Sequence, residues 1–187
     1  KKTYLYRPVH EERLSKTPRD MTKGIIHTEK GDMTVEFYDQ EAPGTVANFC
    51  KLAKSGFYDG LTFHRVIPDF VIQGGCPNTR ELSSEEVVNV TKSPRSRLGT
   101  GGPGYSIKEE YTTNPHNEHN NGTLAMARSQ DPNSAGSQFY FCLGAQPMLD
   151  SGYTVFGQTV DGLDVISKLR VGDVIETIMI ENAASRA

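Results

Sequence analysis

Residues 1–22 carry charges and two prolines, Pro8 and Pro18, and their one apolar cluster is Tyr4, Leu5 and Tyr6. Such a stretch reads as a flexible polar extension, with docking onto the domain as the alternative. From Gly24 onward the pattern changes to period two. Met33, Val35 and Phe37 alternate with Thr34, Glu36 and Tyr38, as in a strand with one buried face. Lys30-Gly31-Asp32 predicts a hairpin turn back to Ile25-Ile26-His27. A helix is expected next. Pro43 stands at its start, and Val46, Phe49, Cys50 and Ala53 form one apolar stripe. Lys51 and Lys54 suit its C-terminal end, and Gly56 follows as a cap.

Beyond that helix the chain predicts short strands and turns. Phe63–Ile67 and Phe70–Gln73 flank Pro68-Asp69, and Thr123–Ala127, Gln138–Leu143, Thr154–Gly157 and Val174–Glu181 are further strands. A second helix is expected over Asp161–Leu169, with Leu163, Ile166 and Leu169 inward and Gly172 closing it. Many short strands with two helices point to a closed antiparallel β-barrel capped at its ends by the helices. Residues 79–98, rich in Ser and charge, interrupt the pattern and read as an inserted loop, a length at which loops are often functional or disordered.

Composition narrows the function classes. The chain has 187 residues, enough for one domain with a tail, and its 18 Gly and 10 Pro mark a turn-rich chain. A net charge of −3 argues against a generally nucleic-acid-binding surface. The longest apolar run, Phe139 to Leu143, is five residues, whereas a membrane span needs about 18. Three cysteines, Cys50, Cys76 and Cys142, lie far apart without a C-x-x-C pair. They exclude a disulfide framework and suggest free thiols in a reducing compartment. A cytoplasmic location is the expectation.

Several chemistries can be weighed. Gly99-Thr100-Gly101-Gly102-Pro103-Gly104 has the form G-x-G-x-x-G, but Ser-Pro-Arg-Ser-Arg precedes it and Pro103 interrupts it. A dinucleotide site needs a strand before and a helix after, so a turn that lets backbone approach a ligand fits better. His116, Glu118 and His119 lie in a turn-like segment and read as solvated or structural rather than metal-bound. Ser137 has no G-x-S-x-G context for a hydrolase. In Phe63-His64-Arg65-Val66-Ile67-Pro68-Asp69-Phe70-Val71-Ile72-Gln73-Gly74-Gly75, alternation sends His64 and Arg65 to opposite sides of a strand. An arginine among such apolar neighbours must reach the rim or find a partner.

That run, with Met126-Ala127, Gly136-Ser137-Gln138-Phe139 and Val155-Phe156-Gly157, resembles the cyclophilin family of peptidyl-prolyl cis–trans isomerases. The similarity extends from about Met21 to the C-terminus and includes Ala47-Asn48-Phe49 and Gly99–Gly102. The stretch at 102–110 looks more like bacterial members. The resemblance implies an eight-stranded closed antiparallel barrel with two helices, formed by residues 23–187, with residues 1–22 outside it.

It also implies a site. Arg65 matches the catalytic arginine, His64 the histidine before it and Gln73 the glutamine that holds Arg65 and substrate. Phe70, Val71, Tyr140 and Leu149 match the pocket for the proline ring. Ala127, Arg128 and Ser129 match the edge that pairs with the substrate backbone, Gln138 matches a polar wall, and Gly99 and Thr100 belong to the glycine loop beside the groove. Val71 stands where Met is usual, Tyr140 where Phe is usual and Arg128 where Asn is usual. Met148 and Tyr153 stand where many eukaryotic members have Trp and His, which implies at most weak cyclosporin binding. The implied ligands are Xaa-Pro peptides and unfolded or flexible protein segments. No metal, organic cofactor, nucleic acid or membrane is implied, and a monomer is expected. A proline-dependent binding module with little turnover, or a scaffold acting through residues 1–22 and 79–98, are the competing functions.

Overall fold

The computed structural model describes residues 21–182, so the polar extension expected at the N-terminus, with Tyr4, Leu5 and Tyr6, lies almost wholly outside the described residues. The alternating segment forms β1 (Lys23–Thr28) and β2 (Gly31–Phe37), an antiparallel hairpin in register Ile26↔Met33. The turn itself is Glu29-Lys30, one residue earlier than Lys30-Gly31-Asp32, because Gly31 already pairs with Thr28. Gly31 takes φ +130°, a conformation open to glycine and costly for other residues.

Helix α1 (Pro43–Lys54) follows as expected, with Pro43 in its first turn and Lys51 and Lys54 exposed in its last. Its buried face places Phe49 among Phe37, Tyr58, Phe139 and Phe156, at ring-centroid distances of 5.0–5.5 Å. Edge-on and tilted aromatic pairs at this spacing add to the burial energy of the rings.

The remaining strands are β3 (Arg65–Ile67), β4 (Val71–Gly74), β5 (Thr123–Met126), β6 (Phe139–Cys142), β7 (Val155–Asp161) and β8 (Ile175–Glu181). They form one antiparallel sheet in the order β3-β4-β6-β5-β7-β2-β1-β8. The sheet curls, but it is not the closed barrel expected. Its edge strands β3 and β8 share no ladder. The residues leading into them meet instead, through the isolated bridge Thr62↔Val174 and the bonds Phe63 N–H to Asp173 O and Ile175 N–H to Leu61 O. Three residues long, β3 pairs with β4 alone.

The described residues also hold three helices rather than two. The inserted segment contains α2 (Ser84–Thr91), and α3 is Leu163–Lys168. Ser83 and Glu86 cap α2 reciprocally: Ser83 Oγ accepts from the Glu86 amide, and Glu86 Oε2 accepts from the Ser83 amide. Reading this stretch as a loop from its Ser and charge content overlooked this S-x-x-E signature. Val87 on α2 is fully buried. In α3, Val165 and Ile166 are buried while Leu163 is 42% exposed, contrary to the inward position expected for it. It opens the helix, directly after the left-handed Gly162, and lies over Gly122 at the rim.

The alternation of strand residues gives the sheet two apolar faces. Phe139 and Phe141 point into the main core with Ile72 and Leu124, whereas Tyr140 and Cys142 point to the other side. There Val71, Ala125 and Val155 join them, and Phe70, Ala127, Leu149 and Tyr153 pack around them. This second, half-covered apolar cluster positions the site.

Candidate active site

Arg65 and Gln73 are partners across the β3–β4 ladder, and Gln73 is opposite Tyr140 across β4–β6. Register therefore brings Arg65, Gln73 and Tyr140 side by side. Arg65 Nη1 donates to Gln73 Oε1 at 3.3 Å, Gln73 Nε2 donates to Gln138 Oε1 at 3.0 Å, and Gln138 Nε2 donates to Gly101 O at 2.8 Å. Each amide accepts at its oxygen and donates at its nitrogen, so the row has one direction and ends on the glycine loop. The guanidinium itself is exposed. It is tethered on one side, and its remaining N–H groups are left to face a ligand.

Beside this row is a cavity of about 310 Å³, lined by His64, Arg65, Phe70, Val71, Gln73, Leu98, Gly99, Ala127, Arg128, Tyr140, Leu149 and Tyr153. Its floor is apolar and its Arg65–Gln73 wall is polar, the usual make-up of a small-ligand pocket. A second cavity, about 420 Å³, adjoins it across Gln73, Gly99, Ala127 and Arg128 and takes in Thr100, Ser129 and Gln138. Every site residue expected from the sequence thus lines one cavity or the other, except Met148. Met148 lies on the turn Pro147–Leu149, is 65% exposed and lines neither.

His64 lines the same pocket as Arg65. Alternation fails here because His64 precedes β3. Its ring is buried beneath Gly99, where a Cβ would stand 3.5 Å from His64 Nε2, and its Nδ1 has no hydrogen-bond partner among the described residues. Burial, helped by the neighbouring Arg65 charge, pushes its pKa down to about 4, so the ring is neutral at physiological pH.

At the backbone edge, the Ala127 amide already donates to Gln138 O and the Ser129 amide to Ser134 Oγ. The Arg128 amide and the Ala127 carbonyl are not engaged in these bonds. The Arg128 side chain folds back: Nε donates to Gly152 O, Nη1 donates to Ser129 O, and the guanidinium sits 4.7 Å over the Tyr153 ring.

Sequence reasoning did not place Leu98, Gly101, Gly102, Pro103, Tyr105, Ser134, Gly136 or Ser137 among the site residues, yet all line the two cavities. Leu98 ends the inserted segment, and its adjacency to the glycine loop was the available signal. Ser137 is no nucleophile here, since its buried hydroxyl donates to Gly75 O. His116, Glu118 and His119 form no metal-holding group among the described residues. His119 is instead buried and bonded to Asp150 and Tyr140.

A sequence model described as cyclophilin-type peptidyl-prolyl cis–trans isomerase/CLD matches residues 24–184. The chain belongs to the cyclophilin family. Bacterial cyclophilins and other isomerases of the same name are similar to it. The peptidyl-prolyl cis–trans isomerase of Synechococcus elongatus is 47% identical, over 88% of this chain and 100% of the relative. Peptidyl-prolyl cis–trans isomerase B of Bacillus subtilis is 44% identical, over 86% and 99%. Among solved structures, a cyclophilin-type isomerase from Cryptosporidium parvum, crystallised in the presence of the dipeptide Ala-Pro, superposes with a TM-score of 0.70. It is 28% identical and covers 86% of this chain and 99% of its own. The protein is a cyclophilin-type peptidyl-prolyl cis–trans isomerase.

Proposed function

We propose that this cyclophilin catalyses rotation about Xaa-Pro bonds with Arg65 as its catalytic residue. Rotation about an amide costs about 18–20 kcal/mol because it breaks resonance. The two planar forms of an Xaa-Pro bond differ by only about 0.5–1 kcal/mol, so the chemistry lies in the barrier. No covalent bond has to form; the site must hold the twisted bond more tightly than either planar one. In the twisted bond the proline nitrogen becomes pyramidal and regains a lone pair. A permanently charged, pre-aimed donor stabilises that lone pair.

The observation that carries this reading is the Arg65 guanidinium, tethered by Gln73 at the polar wall of an otherwise apolar pocket. Phe70, Val71, Tyr140 and Leu149 grip the proline ring. Backbone groups at Ala127–Ser129 hold the residues before it, with Gln138, Gly99 and Thr100 along the wall. One half of the peptide then turns against the other. His64 needs no proton transfer and serves to shape the wall under Gly99. Nothing in the step requires a metal or an organic cofactor.

Unfolded and flexible protein segments that expose prolines are the proposed natural substrates, so that the protein assists folding as a cytoplasmic monomer. Weak cyclosporin binding at most is expected, since the chain has no Trp and Met148 lines neither cavity. The test is exchange spectroscopy on an Ala-Pro peptide with wild type and a folded Arg65→Ala variant. A rate loss of at least about 100-fold, or about 2.7 kcal/mol, supports the arginine role. Binding without accelerated exchange in wild type makes the groove a binding module.

A further inference from the structure

Tyr140 brings a hydroxyl to a pocket wall that the proposed reading makes apolar, and a buried phenol needs a partner. Its hydroxyl lies 2.7 Å from His119 Nε2, and His119 Nδ1 lies 2.8 Å from Asp150 Oδ1. The His119 side chain is fully buried and Asp150 is partly exposed. A carboxylate only accepts, so Nδ1 carries the proton and Nε2 presents a lone pair. The Tyr140 hydroxyl therefore donates to His119, away from the pocket. Burial lowers the His119 pKa, although its bond to Asp150 acts the other way, and burial raises that of Tyr140. Both rings are thus neutral in this arrangement. The two rings also stack, 5.8 Å apart at 13°.

His119 also ties down the backbone on the same side of the pocket. Its amide donates to Asp150 Oδ1 at 2.7 Å, and its carbonyl accepts from the Gln146 amide at 2.9 Å. Asn117 Nδ2 donates to Asp150 O at 2.7 Å. Between Gln146 and Asp150 lies Leu149, the pocket residue whose own amide donates to Gln146 O. Two of the four apolar walls are thus tied to His119, which lines neither cavity: Tyr140 through the imidazole, and the Leu149 turn through the imidazole's bond to Asp150 and the backbone bonds of His119.

We infer that His119, held by Asp150, is a positioning residue for the isomerisation, anchoring Tyr140 and the turn that carries Leu149 and so fixing one side of the proline pocket. This rests on the reading that the pocket takes the proline ring. A wall that grips the ring acts on planar and twisted peptide alike, so its loss appears in KM more than in kcat.

The experiment is a double-mutant cycle on Ala-Pro peptide isomerisation with wild type, His119→Leu, Tyr140→Phe and the double variant. His119→Leu should raise KM about tenfold by orphaning a buried hydroxyl, with kcat changed less than about threefold. In the Tyr140→Phe background, where no hydroxyl is orphaned, the same change should cost less than about threefold. An equal loss in both backgrounds, or no loss in either, overturns the proposal. A wild type that fails to accelerate exchange removes the pocket reading itself, whereas an active wild type with an additive cycle removes only the role of His119. If His119→Leu does not fold, the imidazole 15N shifts of wild type and Tyr140→Phe decide. A neutral ring protonated at Nδ1, with an Nε2 signal that moves when the hydroxyl is removed, supports the assignment. Protonation at Nε2 overturns it.

Discussion

Arg65 and Gln73 are opposite one another in the β3–β4 ladder, and the guanidinium is tethered to the amide oxygen rather than to a carboxylate. A neutral acceptor aims the arginine without neutralising it. That distinction matters for a donor meant to meet a developing lone pair. The row continues through Gln138 to Gly101, so the aim of Arg65 is coupled to the glycine loop.

Gln73→Ala should lower kcat/KM about tenfold, the lower range for a hydrogen bond to a charged group. Because Gln73 acts through Arg65, the loss should shrink when Arg65 is already Ala. Peptide isomerisation rates of the two single variants and the double variant check this. Additive losses would assign Gln73 to substrate alone.

The pH dependence of stability follows from His64. Its folded pKa of about 4 lies below the usual histidine value of 6.5. As pH falls, the unfolded chain binds the proton first, so the stability of the neutral buried ring is complete above about pH 6.5 and is lost toward pH 4. The span corresponds to roughly 3 kcal/mol. The lowered pKa of His119 acts with the same sign. Urea unfolding midpoints should fall through this window in wild type and fall less steeply in His64→Gln. Parallel slopes in the two proteins would show that His64 is not the source.

The thiols should be inert in the native protein. Burial raises the pKa of Cys50 to about 11 and that of Cys142 to about 12, and Cys76 is buried with its sulfur accepting the Gly99 amide. Thiolate is the reactive form. Reaction with Ellman's reagent should be slow in buffer and rapid for all three in urea. A native thiol reacting within mixing time contradicts this burial.

The inserted helix is part of the fold energetics. Val87 is fully buried, and Arg80 lies over the Phe57 ring with Nη2 donating to Phe57 O. Val87→Ala should destabilise the protein by about 2 kcal/mol, from the lost methyl burial and the cavity left. Urea denaturation measures it. An unchanged midpoint would mean that the segment contributes nothing to the folded state.

How much was legible follows the range of the forces involved. Pro43 and the Val46–Phe49–Ala53 stripe gave α1, because helix signals lie within a few turns. The alternation at Met33–Phe37 gave β2, since a strand with one buried face writes its period into the chain. The inserted helix was missed even though its capping signal is local, because composition outweighed the Ser83–Glu86 pair. Leu163 was misplaced because which side of a short helix faces inward depends on what it packs against.

The sequence by itself determined the strands, the first helix, the family and a large part of the residues that line the groove, because these rest on local periodicity and on motifs whose residue types are read directly. Only the tertiary structure decided that β3 and β8 stay unladdered, that Met148 lines neither cavity and that His119 reaches Tyr140. Those outcomes depend on register between strands distant in the chain. Tyr140 meets Gln73 and Ala125 only because β6 lies between β4 and β5, and no local pattern encodes that order. Curvature and a buried polar partner likewise arise where separate segments are forced into one volume, and polar groups there must find partners wherever the packed chain supplies them.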